Sequence, residues 1–341
     1  MIITRTPFRI TLGGGGTDLP SFYEQYGGFI FAMCINKYMY ILLNRRSVAD
    51  RKIVIRYSQV ETVDSIEEIK HPLAREALRL HDVRANIELT SIADMPAKTG
   101  LGSSGSYLTG LLTAIRAYKR ESASLAAIAE EACHIEMNIL KEPVGKQDQY
   151  MAAFGGFRKL EIAPDGKVTV EQAPVDFVMA NELVSKARVY YTGVQRSATA
   201  VLKKQDDAAR HPENPDHKKT VECLLSIKDL GRRIYRAFLA RDLDAFGVIM
   251  DEHWRFKKQM SSSVNLGVLD NLYDEVKKRF GVLGGKIIGA GGGGFLMLYC
   301  PKQGRELDEF MAKHGMLRIA YFPTLQGSHV VSDLTAFDDF D

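Results

Sequence analysis

Paired cysteines are the first thing this sequence lacks. Among 341 residues there are four, Cys34, Cys133, Cys223 and Cys300, with no CxxC pair, so neither a zinc ribbon nor a disulfide framework is indicated and a reducing compartment fits. Long apolar runs are missing as well. Arg5 and Arg9 interrupt the N-terminal hydrophobic stretch, no small-residue cleavage site follows a long apolar run, and no segment approaches the length of a membrane span. A cytoplasmic, soluble protein without a membrane partner is the expectation. Charge of one sign is also scarce, since 45 Lys+Arg against 42 Asp+Glu leave +3. That balance suits an anionic small molecule; no basic run carries interleaved aromatics, so no nucleic-acid partner is expected. The sequence shows no internal repeat, and only the acidic residues 338–341 look disordered. The single tryptophan, Trp254, is expected in core or interdomain packing, and no adenine pocket is legible.

What is present supports two packed domains: 45% hydrophobic residues over 341 positions exceed one ordinary core. Strand-like runs at 29–44, 53–57 and 85–91 precede a helix over about 103–118. The apolar positions Leu125, Ala129, Ala132 and Leu140 then share one face of a helix over 124–141, which Pro143 ends. Glu136 falls on the same stripe, so its carboxylate points inward and needs a partner, either Mg²⁺ or a lysine. A hairpin around Pro164, Asp165 and Gly166 and a strand at 187–192 follow. Beyond them the periodicity predicts long amphipathic helices at 217–240, 243–259 and 268–280, with strands at 286–289, 295–300 and 318–322. Composition shifts near Ser185 from strand-rich to helix-rich, which sets the expected domains at 1–185 and 186–341.

Glycine is abundant, 29 residues, and concentrated in two clusters, 96–106 (PAKTGLGSSGS) and 284–295 (GGKIIGAGGGGF). Residues 100–105 and 289–294 both spell GxGxxG. A dinucleotide fingerprint needs a strand running straight into the turn, a helix after it and an acidic residue about twenty positions on. The first copy is separated from its strand by Asp94, Met95 and Pro96, and the second is followed by a strand. No Gly-Lys-Ser/Thr closes either cluster, which removes the P-loop. What remains is a glycine- and serine-rich loop opening a helix, a surface of bare amides that binds phosphate. Its candidate nucleotide contacts are Lys98, Gly100, Leu101, Gly102, Ser103, Ser104, Gly105 and Ser106, where a simple helix cap would need one hydroxyl alone.

Three motifs in order, residues 6–18 (TPFRITLGGGGTD), 96–106 and 286–295, give the chain a strong likeness: it resembles the GHMP kinases, named for galactokinase, homoserine kinase, mevalonate kinase and phosphomevalonate kinase. The resemblance implies an α+β, two-domain architecture, an S5-like N-terminal α/β domain and a ferredoxin-like C-terminal domain with the active site between them. It also implies ATP and Mg²⁺. The four glycines before Thr17 and Asp18, with Asp148, Gln149 and Tyr150 later, look most like members acting on the anomeric hydroxyl of a sugar.

Roles follow from that likeness. Asp148, by local sequence an ordinary loop aspartate, matches the family's catalytic aspartate, and Arg9 its neighbouring cation. Glu136 matches the metal-binding glutamate, Ser104 the second metal contact, and Ser103 and Ser106 would face the phosphates. Gly13, Gly14, Gly15, Gly16, Thr17 and Asp18 would bind the sugar. Galactokinase-like members carry Glu-His where Gly15 and Gly16 stand here; losing a carboxylate and gaining bare amides favours a sugar that is itself phosphorylated. Arg196, with Lys203 or Lys204, could hold that phosphate, and Gly292 and Gly293 would let backbone approach substrate. The expectation is an ATP-dependent sugar 1-kinase acting on a seven-carbon sugar phosphate, with a homodimer allowed. Its rivals are a kinase of free fucose or galactose and a catalytically silent sugar or nucleotide sensor.

Overall fold

β-branched and aromatic residues build the strands, and amphipathic helices cover them. A computed structural model describes residues 1–46, 51–97, 99–193, 198–260, 267–289, 293–302 and 304–335. From the N-terminus come β1 (Ile2–Gly13), α1 (Pro20–Tyr26), β2 (Gly28–Arg45), β3 (Ile53–Arg56), β4 (Val60–Val63), α2 (Pro72–Leu80) and β5 (Ile87–Ala93). The middle forms α3 (Ser103–Tyr118), α4 (Leu125–Cys133), α5 (Gln147–Phe154), β6 (Phe157–Ile162), β7 (Val168–Gln172), α6 (Phe177–Lys186) and β8 (Ala187–Tyr191). The remainder is α7 (Ala198–Arg210), α8 (His217–Leu239), α9 (Leu243–Gln259), α10 (Gly267–Phe280), β9 (Gly284–Ile287), β10 (Phe295–Tyr299), α11 (Arg305–Lys313), β11 (Arg318–Ile319) and β12 (His329–Asp333).

The first sheet has the order β12-β1-β2-β5-β3-β4, with β6 also on β2 and β7 on β6. Among the described residues only β3 and β5 pair in parallel. The first eight residues of β2 are all buried, whereas its second half alternates, because helices cover both faces at one end and one face at the other. Phe31 meets Tyr235 and Phe238 of α8 edge-on, each at 5.0 Å between ring centroids. On β1, the Thr4 hydroxyl donates to the Gly110 carbonyl of α3 at 3.0 Å, and because a Cβ at Gly110 would lie 2.6 Å from Thr6 Oγ1, glycine lets α3 come this close to β1.

The second sheet, β11-β8-β10-β9, is antiparallel throughout. Helix α8 packs on β1 and β2, and α9 packs on both β1 and β9. One apolar cluster therefore runs through both sheets, with Phe8, Phe31, Phe238, Phe246, Met297 and Tyr299 among its members. Trp254 lies in a second cluster against β9 and β10 and is 3% exposed. That places it in packing.

Four local expectations need correction. The helix expected over 124–141 is α-helical only to Cys133 and continues as a π-helical turn, His134–Ile139; Leu125 is exposed rather than on the buried face. Asp148 lies in the first turn of α5, not in a loop. The strand expected at 318–322 pairs only over Arg318–Ile319. Finally, α6 ends at Lys186 where β8 begins the second sheet, yet residues 329–333, expected with the second unit, pair with β1 in the first sheet. Residues 338–341 lie outside the described residues.

Candidate active site

A cavity of about 290 Å³ opens where β1, α3, α5, α9 and β9 converge. Strand β1 contributes Arg9, which is 4% exposed. Its Nε donates to Asp148 Oδ1 at 2.7 Å and its Nη2 lies 2.6 Å from the same oxygen, while Nη1 donates to the Gly100 carbonyl. One arginine thereby ties the aspartate to the glycine-rich loop. Asp148 Oδ2 has no partner among the described residues, and Asp148 lines the cavity.

Helix α3 starts at Ser103 behind Gly102, whose φ of 80° is left-handed and suits glycine. Ser103, Ser104, Gly100 and Gly102 line the cavity. Its N-terminal amides and positive dipole end make the cavity favourable to an anion. The other glycine cluster meets this loop back to back. A side chain on Gly289 would place its Cβ 2.6 Å from Gly100 Cα, and one on Gly294 would sit 2.1 Å from the Thr99 carbonyl oxygen. This contact between the two loops accounts for glycine at both positions.

Glu136 stands in the π-helical turn and is 2% exposed; such turns reorient a side chain that a regular helix would aim elsewhere. Gln149 Nε2 donates to its Oε2 at 2.5 Å, and Ser104 also hydrogen-bonds the carboxyl group. Burial nevertheless pushes its pKa up to about 7, the behaviour of a carboxylate without a cation. Gln149 Oε1 is buried and unpartnered. Glu136, Ser104 and Asp148 form a set of hard oxygen donors, which suits Mg²⁺ with one or two protein ligands. Among the described residues no group of three His, Cys, Asp or Glu side chains is arranged to enclose a metal.

Asp18 accepts from the Gly16 and Gln147 amides at 3.2 and 3.1 Å. Burial, with Asp148 nearby, raises its pKa against those hydrogen bonds. Gly145 makes the room: a Cβ there would lie 2.1 Å from Asp18 Oδ2. Gly15 and Gly16 line the cavity beside Asp18.

Several expected contacts serve the scaffold instead. Gly13 packs against Gly231 of α8, and Gly14 donates its N–H to His253 Nε2 at 3.2 Å. The Thr17 hydroxyl sits 2.8 Å from the Phe29 carbonyl and accepts from the Phe29 amide. Leu101 is core. Gly105 lies against Asp148. Ser106 does not face a phosphate, for its hydroxyl donates to the Pro7 carbonyl at 2.9 Å and it is 1% exposed. Gly293 adopts φ 128°. Lys203 and Lys204 are exposed on α7, Lys203 beside a neighbouring polar cavity. Lys98, Arg196 and Gly292 lie outside the described residues.

The sequence reading missed Lys257 of α9 and Lys286 of β9, both buried and both lining the cavity. A signal existed for Lys257, which continues the buried stripe of Phe246, Met250 and Trp254. Thr11, Gln147 and Gln205 also line the cavity unforeseen; the Thr11 hydroxyl donates to Gln147 Oε1 at 2.7 Å.

An ionic pair of arginine and aspartate, a helix start suited to anions and an inward carboxylate are the groups a phosphotransferase centre needs. Sequence comparison agrees: GHMP kinases N terminal domain matches residues 67–156, and GHMP kinases C terminal matches 234–315. The chain belongs to the GHMP kinases, ATP-dependent enzymes with this two-domain α+β fold. It is 27% identical over 314 residues to D-glycero-alpha-D-manno-heptose 7-phosphate kinase of Campylobacter jejuni, covering 87% of this chain and 89% of that one. The fold is shared with a D-glycero-D-manno-heptose 1-phosphate kinase from Bacteroides thetaiotaomicron, at TM-score 0.79 and 22% identity over 98% and 99% of the two chains. It is also shared with Lactococcus lactis galactokinase in complex with galactose, at TM-score 0.73 and 17% identity over 96% and 94%. No helix among the described residues is long and apolar enough to cross a membrane.

Proposed function

We propose that this protein transfers the γ-phosphoryl group of ATP to the anomeric hydroxyl of D-glycero-D-manno-heptose 7-phosphate, giving the 1,7-bisphosphate for nucleotide-activated heptose used in capsule, lipopolysaccharide or other glycan. One observation carries the reading. Asp148 has Oδ1 fixed by Arg9, keeps Oδ2 without a partner among the described residues, and lines a cavity that also takes in the start of α3 and the Gly15, Gly16 and Asp18 turn. The sugar side carries no side chain at Gly15 or Gly16, which leaves room for a phosphorylated substrate beside the cavity. The heptose kinase of C. jejuni, similar over most of both chains, supports the choice of sugar.

In this reading Asp148 Oδ2 accepts the proton of the anomeric hydroxyl as its oxygen bonds to phosphorus and the bond to ADP breaks. An anomeric hydroxyl is more acidic than an ordinary alcohol, so a carboxylate suffices. Arg9 keeps that carboxylate in place and offsets charge on the transferring group. Asp18 orients sugar hydroxyls. Glu136 and Ser104 would hold Mg²⁺, which when bound supplies charge neutralisation at the nucleotide phosphates.

Glu136→Gln is expected to weaken Mn²⁺ binding to the nucleotide complex by about tenfold or more, since a neutral amide replaces the one buried carboxylate of the set. Electron spin resonance titration of Mn²⁺ with a non-hydrolysable ATP analogue reads it directly; unchanged affinity would remove Glu136 from the metal site. The acceptor is tested with a panel of D-glycero-D-manno-heptose 7-phosphate, D-sedoheptulose 7-phosphate, mannose, galactose and fucose, locating the product by phosphorus NMR. An anomeric phosphate formed only on the heptose 7-phosphate is the expected result. Turnover of a free sugar would shift the reading to a fucose or galactose kinase, and nucleotide binding without turnover to a sensor.

A further inference from the structure

Two buried lysines line the cavity, and among the described residues neither forms an ion pair with a carboxylate. Lys257 is 8% exposed and Lys286 is 2% exposed. Lys257 Nζ donates to the Gly289 carbonyl, and Lys286 Nζ donates to the Leu12 carbonyl at 3.2 Å. An ammonium carries three donors, so most of their hydrogen-bonding capacity finds no acceptor among the described residues. Arg9, the third cation of the group, is the one that holds a carboxylate. Burial lowers the pKa of Lys257 to about 8; Arg9 adds to that effect and the charge of Asp18 partly opposes it. Burial, with Lys257 and Arg9 nearby, lowers that of Lys286 well below the ordinary lysine range. A buried cation of this kind is costly unless an anion arrives.

Position says which anion. Lys257 is bonded to Gly289, whose backbone abuts Gly100, and Gly100 offers its carbonyl to Arg9. Both cations are thus anchored to the two touching glycine loops. On its other side Lys257 Nζ comes within 3.9 Å of where a Gly15 side chain would begin. It therefore stands between the phosphate-binding loop and the sugar-side turn, at the reacting end of the substrate rather than at its far end.

We propose that Lys257 is a catalytic residue of the transfer step, its free donors meeting the equatorial oxygens of the phosphoryl group while that group is between nucleotide and sugar. This rests on the kinase reading above, though not on the identity of the sugar. In a loose transition state negative charge spreads over three such oxygens, and Lys257 offers fixed charge there without reorganisation. Lys286 lines the same cavity and brings further donors to it.

The test compares Lys257→Met and Lys257→Arg with the wild type. For Lys257→Met, kcat is expected to fall by about 30- to 100-fold, with KM for ATP and for the sugar phosphate within about threefold. Affinity for ADP with aluminium fluoride, a mimic of the group in transfer, should fall in parallel, while affinity for a non-hydrolysable ATP analogue holds. Lys257→Arg should recover part of both. The melting temperature of the free Lys257→Met protein should stay or rise, since an uncompensated buried charge is gone.

A kcat within about twofold of wild type overturns the proposal. So does a rise of about tenfold or more in KM for the phosphorylated sugar alone at unchanged kcat, which would assign Lys257 to the substrate's own phosphate. A lowered melting temperature with unchanged affinity for the ADP–aluminium fluoride complex would make Lys257 structural. If the wild type turns over no sugar of the panel, the acceptor reading fails by itself; slow ATP hydrolysis by water and aluminium fluoride binding still decide the role of Lys257.

Discussion

Asp148→Asn is expected to reduce kcat by about 10³-fold or more while the affinities for a non-hydrolysable ATP analogue and for the sugar phosphate change by no more than about threefold. The substitution is nearly isosteric, so α5 and its packing are kept. An amide oxygen can still accept one hydrogen bond from Arg9, which otherwise holds Asp148 Oδ1 at 2.7 Å through Nε. What disappears is the carboxylate oxygen left without a partner among the described residues and the negative charge that opposes Arg9. Binding of the anionic nucleotide should therefore hold or tighten. Calorimetry with the analogue and steady-state turnover separate the two effects. A kcat within about tenfold of wild type would remove Asp148 as the base and leave the chemistry to orientation and electrostatics alone.

The parts of this centre that were legible in the sequence share one property: their local pattern and their tertiary role agree. Helix α9 appears over the residues that periodicity marks, because a long surface helix has one buried face. The loop over 96–106 was legible as a phosphate surface because three glycines and three serines together have few other uses. Asp148 was not recognisable as helical. Pro143 and Gly145 signal a break, and α5 is only eight residues long with most of its residues buried, so no amphipathic period exists to detect. Ser106 misled for the opposite reason, since clustered hydroxyls suggest one shared ligand, while the helix turns this one toward the Pro7 carbonyl of β1. Lys257 escaped notice because a lysine on a helix is ordinarily solvated. Only its place on an apolar stripe could have marked it. Strand β12 pairs with β1 across more than three hundred residues of sequence, and nothing local in a short strand specifies so distant a partner.

Gly105→Ala tests whether the catalytic aspartate is positioned by helix packing. A methyl group at residue 105 would lie 2.7 Å from Asp148 Cβ, 2.9 Å from the Asp148 carbonyl carbon and 3.0 Å from Gln149 N. Two of those three atoms are backbone, so no side-chain rotation relieves the contact and α5 must move away from α3. Overpacking of this kind costs about 1–3 kcal/mol, while alanine itself is favoured over glycine in a helix by up to about 1 kcal/mol; a net loss of about 1–2 kcal/mol is expected in denaturant unfolding. The activity should fall further than the stability. Moving α5 draws Asp148 from Arg9 and also draws Gln149 from Glu136, which it contacts at 2.5 Å. Displacement of a reacting group by about 1 Å costs on the order of 10²-fold in rate, so kcat should drop about 10²-fold or more. The loss should appear in a protein that remains folded and still binds nucleotide, since the loop amides at Gly102 and Ser103 lie on α3 and do not shift with α5. Wild-type kcat in this variant would mean that α5 is held in register by β1 and α4 alone, and that Gly105 serves only the fold.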